Sequence, residues 1–158
     1  MSDVGRSSGL ARTGGRNSVT PSQTVGPFLT IGLTWHGGAV ADPGGMHVGG
    51  VVYDGAGEPI ADALVEVWSR EPAAFERCPT DDDGRWHAVV PRAPYLATHV
   101  FARGLLRHLT TRICFEESAV PDGVPADRRH TLLAERDGDG YRVDIRLQGP
   151  DETVFFDV

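Results

Sequence analysis

Residues 96–116 read LATHVFARGLLRHLTTRICFE, and this stretch predicts the centre of the fold. Two runs, at 96–102 and 109–115, flank a short turn at Arg103 and Gly104. Both runs are rich in β-branched and aromatic residues, and the second alternates apolar and polar side chains. A period of two is typical of a β-strand with one buried face. We therefore predict a hairpin of two central strands.

The rest of the sequence predicts an all-β domain. Twenty Gly and eleven Pro among 158 residues favour short strands joined by many turns over long helices. Turn-forming segments recur about every ten residues, which is typical of an antiparallel β-sandwich. We predict such a sandwich, with seven to nine short strands and long loops. The strands fall at residues 28–33, 48–54, 63–68, 85–90, 96–102, 109–115, 130–136, 141–147 and 153–158.

Three further segments complete the predicted organisation. Residues 46–68 read as a strand, a tight turn at 54–57 that needs glycine, and a second strand, so they predict another hairpin. Residues 69–79 read as short and irregular. The first 19 residues, rich in Gly, Ser and Arg, predict a flexible arm. The single folded domain is therefore expected to cover residues 20–158.

Composition argues against two classes of partner. The net charge is −7, whereas a nucleic-acid surface needs clustered cations. No apolar run approaches the roughly 20 residues that span a bilayer, and the first residues lack the apolar segment of a secretory signal. Cys78 and Cys114 are too few for a disulfide scaffold, so we predict free thiols in a reducing compartment. A cytoplasmic protein without nucleic-acid or membrane partners is the expectation.

The six histidines do not show the spacing of a strand-borne metal site. Two imidazoles at positions i and i+2 of a strand would share one face. No HxH or HxxxH occurs, and the central strand carries Tyr95 and Ala97 where such a pair would fit. An alternative stays open, in which the strands pair and bring together His87, His99 and His108 in a metalloenzyme of one chain type.

Arg112 is the charged residue of interest in the central hairpin. It lies mid-strand, on the face opposite Leu109, Ile113 and Phe115. A guanidinium there either pairs with an acid at the surface or receives an anion at an interface, since the Arg fork matches a carboxylate. The residues alone favour the surface ion pair and leave both interpretations open.

Three stretches carry a resemblance to a known family. They are TPSQTVGPFLTIGL at 20–33, VFARGLLRHLTTRICF at 100–115 and RVDIRLQGPDETVFFDV at 142–158. Together they resemble the intradiol ring-cleaving dioxygenases, and the resemblance covers residues 20–158. It implies a β-sandwich enzyme built from alpha and beta chains of one fold. It also implies that protocatechuate or a related catechol is cleaved with O2 to 3-carboxy-cis,cis-muconate.

Within that family this chain resembles the alpha chains, which hold no metal. The resemblance implies a ferric ion, Fe(III), bound by two Tyr and two His of a partner beta subunit. Tyr95 matches either a ligand Tyr or the first His of the beta chain's HxH, so at most one ligand survives here. No catalytic residue and no metal site are therefore expected in this chain.

The resemblance assigns the alpha chain a part in the substrate pocket at the alpha–beta boundary. Carried over residue by residue, the pocket residues are Gly26, Pro27 and Arg112, with Arg112 facing the substrate carboxylate. The chain departs from the family by apparent losses around residues 69–79 and 91–95. A stand-alone transthyretin-like binding module without catalysis is the alternative, because many such modules share the strand–turn–strand motif of 46–68.

Overall fold

Nine β-strands in two stacked sheets form the fold in the computed structural model, which describes residues 20–26, 28, 30–33 and 42–157. The strands are β1 (Met46–Tyr53), β2 (Leu64–Ser69), β3 (Ala74–Pro79), β4 (Arg85–Val90), β5 (Tyr95–Phe101), β6 (Leu109–Cys114), β7 (Glu135–Asp137), β8 (Gly140–Arg142) and β9 (Ile145–Arg146). The first sheet has the order β4-β1-β8-β7, with β9 also paired to β1. The second sheet has the order β3-β2-β5-β6. The predicted all-β sandwich is confirmed.

Two details refine this architecture. β8 and β9 run parallel to β1, whereas the pairs of the second sheet are antiparallel. The 3-10 helices Glu117–Ala119 and Ala126–Leu132 lie between β6 and β7. Among the described residues, no helix has the length and apolar character needed to cross a bilayer. The predicted arm at 1–19 and the pocket residue Pro27 lie outside the described residues.

The core lies between the two sheets. Val52 of β1, Val67 of β2 and Leu96 of β5 are fully buried in one cluster to which both sheets contribute. Burial of such a side chain stabilises the folded state by about 1.5–3 kcal/mol. The alternating patterns of the sequence therefore mark the faces that meet inside the sandwich.

The predicted central hairpin is present as β5 and β6. Leu96 faces Ile113 and Val100 faces Leu109 in an antiparallel register. The turn contains Gly104 with φ of +90°, which glycine adopts without a Cβ clash. Burial alternates along β5, so that every second side chain is half-buried on the outer face of the second sheet. That outer face carries the candidate site described below.

The hairpin predicted for residues 46–68 was wrong in its pairing. β1 lies in the first sheet and β2 in the second, and their sole link at the turn is a bridge between Tyr53 and Pro59. The predicted turn is present, with Gly57 at φ of +83° and the Asp54 carboxylate accepting the backbone N–H of Glu58. The residues of this turn determine only that the chain reverses direction. Because β4 and β8 already pair with the two edges of β1, β2 pairs in the other sheet.

Other boundaries also differ from the predicted ones. Residues 69–79, expected to be irregular, contain β3, which pairs with β2 along its full length. Residues 130–132 belong to a 3-10 helix, not a strand. Residues 153–157 contribute a bridge between Phe156 and Thr110 instead of a full strand. The described residues of 28–33 form turns, because Ile31 N–H bonds to the carbonyl of Phe28 three residues earlier.

A substitution at Gly50 tests how closely β1 approaches Val143, which follows β8. A Cβ at Gly50 would overlap the carbonyl oxygen of Val143, whereas a Cβ at Gly123 would meet nothing within 4 Å. We expect Gly50→Ala to lower the free energy of unfolding by about 1–3 kcal/mol, because backbone must shift. Gly123→Ala should stay within about 0.5 kcal/mol. Denaturant unfolding measures both, and equal midpoints would contradict the close approach.

Candidate functional site

Arg112 and Tyr95 form a stacked pair on the outer face of the second sheet. Arg112 lies on β6 opposite Ala97 of β5, and Tyr95 lies two residues before Ala97 on the same face. The guanidinium carbon of Arg112 is 3.9 Å from the centroid of the Tyr95 ring. A cation over an aromatic face is attracted by the ring quadrupole. The pairing of β5 with β6 therefore fixes the cation in place.

The Arg112 guanidinium has no acid partner in the described part of the chain. No carboxylate oxygen there lies within 4.0 Å of it, although several other arginines make such pairs. Its Nη1 donates a hydrogen bond of 3.3 Å to the carbonyl oxygen of Ala119. A guanidinium has five N–H donors, so the half-buried group keeps donors for an anion. The surface ion pair that the sequence favoured finds no acid here.

Gly26 lies beside the turn between β5 and β6. Two hydrogen bonds hold the preceding residues there, from Val25 N–H to the Leu105 carbonyl at 3.0 Å and from Gly104 N–H to Thr24 Oγ1 at 2.9 Å. A Cβ on Gly26 would meet nothing within 4 Å, so this side of the backbone is open. Among the described residues, no hydrogen bond joins this segment to Arg112.

Four of the five described histidines fall into two separate pairs. His99 lies on β5 and His108 lies in the connection from β5 to β6, and the centroids of their rings are 4.7 Å apart. His87 instead contacts His47 on the first sheet, with 3.0 Å between His87 Nε2 and His47 Nδ1. The proposed trio of His87, His99 and His108 is therefore not brought together. No local pattern predicts the pairing of His47 with His87, because the two residues are 40 positions apart.

The described side chains do not fit a ferric centre built from two Tyr and two His. The rings of Tyr53, Tyr95 and Tyr141 each lie beneath a different arginine, in three places. No cluster of three or more His, Cys, Asp or Glu suited to a metal ion occurs among residues 20–26, 28, 30–33 and 42–157. The described tyrosines and histidines therefore do not together form the ligand set of such a centre.

Both cysteines are free and buried, as predicted. Burial, together with the negative charge of Glu76, raises the pKa of Cys78 to about 12. Burial raises the pKa of Cys114 to about 11, against the opposing effect of the Arg112 charge. The Sγ of Cys114 lies 3.4 Å from the same Ala119 carbonyl that Arg112 uses. Both thiols are therefore protonated at neutral pH.

The chain is similar in sequence to proteins of known function. No family model matches the chain. A protocatechuate 3,4-dioxygenase alpha chain from Burkholderia cepacia is 36% identical, over 88% of this chain and 97% of the relative. The chain belongs to the protocatechuate 3,4-dioxygenase alpha-chain family. An alpha chain from Pseudomonas putida is 35% identical over 87% of this chain and 96% of the relative. The protein is thus a subunit of an intradiol dioxygenase-type enzyme.

This member of the alpha-chain family is short. The alignment with the Burkholderia cepacia relative extends over 191 positions, but 88% of the 158 residues is only about 139 residues of this chain. The connections from β2 to β3 and from β4 to β5 are residues 70–73 and 91–94, both short. Both connections lie inside the regions 69–79 and 91–95, where losses were predicted, and the position of those losses stays a prediction.

Solved structures of intradiol enzymes also resemble the chain. Catechol 1,2-dioxygenase from Pseudomonas arvilla C-1 gives a TM-score of 0.49 at 24% identity, covering 75% of this chain. The chain spans only 59% of the length of that enzyme. A dioxygenase domain from Streptomyces sp. SirexAA-E gives a TM-score of 0.45 at 19% identity, covering 84% of this chain and 99% of that domain. The family assignment rests on the sequence relatives alone.

The thiols give a direct test of burial at this site. At pH 8 the thiolate is about one part in ten thousand for Cys78 and one in a thousand for Cys114, so native protein should react very slowly with a disulfide reagent. Both should react at once in guanidinium chloride. Rising pH should label Cys114 before Cys78, with Cys114→Ala as the assigning variant. Rapid labelling of one equivalent in the native state would contradict this.

Proposed function

We propose that this chain is the iron-free alpha subunit of a hetero-oligomeric ferric intradiol dioxygenase. A partner beta subunit holds the Fe(III), and the assembly cleaves protocatechuate or a related catechol with O2 to 3-carboxy-cis,cis-muconate. The family membership supports this function, because both sequence relatives are named alpha chains. A cytoplasmic location fits the two free thiols.

The observation that carries the proposal is the state of Arg112. It is a fixed, half-buried cation with no carboxylate of the described chain in reach. A partly buried guanidinium interacts more strongly with an anion than an exposed one does, because less water screens the charge. The carboxylate of protocatechuate is an anion that a guanidinium can bind through two parallel N–H···O bonds. Arg112 therefore orients the substrate.

Neighbouring residues support that role of Arg112. The Tyr95 ring lies against the Arg112 guanidinium, and the Ala119 carbonyl accepts one of its N–H groups. These two contacts hold the guanidinium in place and leave its other N–H groups for the substrate carboxylate. In this proposal Gly26 lines the pocket beside the substrate, because glycine lets backbone approach a flat ring closely. Pro27, the other residue expected there, lies outside the described residues. This chain thus binds and orients substrate and holds no reacting metal.

Arg112→Ala in the complex with the beta subunit is the experiment that tests this function. A hydrogen bond to a charged group contributes about 1.5–3 kcal/mol, so KM for protocatechuate should rise roughly 10- to 100-fold. Catechol, which lacks the carboxylate, should be cleaved with unchanged KM. Steady-state oxygen uptake with both substrates measures the difference. Arg112→Lys should recover part of the loss, because it keeps the charge without the planar fork.

Arg136→Ala is the matched control, because Arg136 also stacks on a tyrosine, with 4.5 Å from its guanidinium carbon to the Tyr141 ring centroid. It lies on β7 of the first sheet, so its loss should leave both KM values within about twofold. An equal KM for protocatechuate in wild type and Arg112→Ala would remove Arg112 from the pocket. A wild-type complex that cleaves neither substrate would refute the proposed function itself.

A further inference from the structure

His47 and His87 are brought together on the outer face of the first sheet. His87 of β4 lies directly across from Gly49 of β1, and His47 lies two residues before Gly49 on the same face. Because Gly49 has no side chain, the His87 imidazole can lean diagonally toward His47. The two rings lie 5.2 Å apart between centroids, with 3.0 Å between Nδ1 of His47 and Nε2 of His87.

The backbone around the pair is fixed on both sides. β1 and β4 pair in register from Met46 to Val51, so both histidines stand on a continuous ladder. A Cβ at Gly140 of β8 would lie 2.9 Å from the Cβ of His47, which shows how closely β8 packs against that side chain. The backbone positions of both histidines are therefore set by the sheet and not by a loop.

The surroundings of the pair favour a cation. An open cavity of about 820 Å³ includes both imidazoles together with Asp81, Asp137 and Asp139. The arginines that border the same cavity are neutralised locally, because Arg85 pairs with Asp83 and Arg142 pairs with Asp144. Three carboxylates without a matching excess of cations give this cavity a negative potential.

We propose that His47 and His87 form a two-histidine binding site for a divalent late transition-metal ion, for which Cu²⁺ and Ni²⁺ are the best matches. The two nitrogens are joined by a hydrogen bond of 3.0 Å, and metal–nitrogen bonds of about 2.0–2.1 Å at angles of about 90–110° likewise place two donor nitrogens roughly 2.8–3.4 Å apart. Affinity for nitrogen donors among the divalent first-row metals rises through Ni²⁺ to a maximum at Cu²⁺, which favours these two ions. Imidazole nitrogen is a preferred donor for both ions.

The remaining coordination positions belong to water or to a carboxylate of the cavity. In the described part of the chain, no third His, Cys, Asp or Glu completes a cluster with the pair. Asp139 immediately precedes Gly140, which packs on His47, and it lines the same cavity. Since the two imidazole nitrogens are the protein's fixed donors, the affinity for one bound ion should depend on both histidines.

Burial, together with the neighbouring His47, lowers the pKa of His87. A neutral imidazole has one ring proton and one acceptor nitrogen. When a metal binds, the ring that carries the proton between the facing nitrogens changes tautomer: that proton leaves to solvent and the far nitrogen of the same ring takes one up, so each facing nitrogen donates its lone pair.

Titration of the full-length, tag-free chain with CuCl₂ and NiCl₂, followed by calorimetry, tests the site. We expect one ion per chain that depends on both histidines. Removing a residue that hydrogen-bonds to a metal ligand typically lowers metal affinity roughly 10- to 100-fold, and removing the ligand itself should lower it at least as much. His47→Gln and His87→Gln should therefore each weaken binding roughly tenfold or more. Paramagnetic resonance of the Cu²⁺ form should show two nitrogen ligands in wild type and one in each variant.

His99→Gln and His108→Gln are the matched controls, because their rings also lie close, at 4.7 Å between centroids, on the other side of the sandwich. Both controls should leave the affinity within about twofold. Circular dichroism of every variant confirms the fold, and the nitrogen count of the wild-type Cu²⁺ spectrum stands independently of the variants. Unchanged affinity in His47→Gln and His87→Gln, or a wild-type spectrum with fewer than two nitrogens, would overturn the proposal.

Discussion

A half-buried guanidinium that meets no carboxylate of the described chain is the constraint on which the functional account depends. Burying a charge costs free energy unless an opposite charge or hydrogen-bond acceptors compensate. Within the described residues, the Arg112 guanidinium contacts the Tyr95 ring and the Ala119 carbonyl, and neither carries a full negative charge. A cation held in this way is suited to receive an anion from outside, and the proposed substrate carries a carboxylate.

The two sheets divide the chemistry of the molecule between them. The second sheet presents the Arg112–Tyr95 pair, which the register of β5 and β6 fixes. The first sheet presents the His47–His87 pair, which the register of β1 and β4 fixes. In both cases glycine or alanine occupies the intervening position, so a long side chain can reach across the strand pair. Small residues in the sheet thus decide where the functional side chains meet.

Local pattern was sufficient to predict the central hairpin, because its period of two, its β-branched residues and the glycine at 104 all favour the same structure. The pairing of residues 46–68 could not be predicted in this way. A turn at 54–57 fits a hairpin as well as a crossover, and the choice depends on strands β4 and β8, far away in sequence.

The same limit applies to the sites. Arg112 could be selected from its place on a strand, but its contact with Tyr95 depends on the register of β5 and β6, which only the structure shows. His47 and His87 could not be paired, since a period along one strand carries no information about a partner on another. The absent acid near Arg112 is likewise a property of the folded chain. Sequence therefore predicted the scaffold and selected Arg112 as a candidate, while contacts across strands required the structure.

Iron content after purification tests the central claim most directly. The chain should be purified alone and after co-expression with a beta subunit that carries two Tyr and the HxH ligands, and each sample measured for iron and for visible tyrosinate-to-iron absorption. The account predicts no stoichiometric iron and no visible band for the chain alone, with both appearing in a complex that contains the two chains. One ferric ion per chain in the protein purified alone would contradict it.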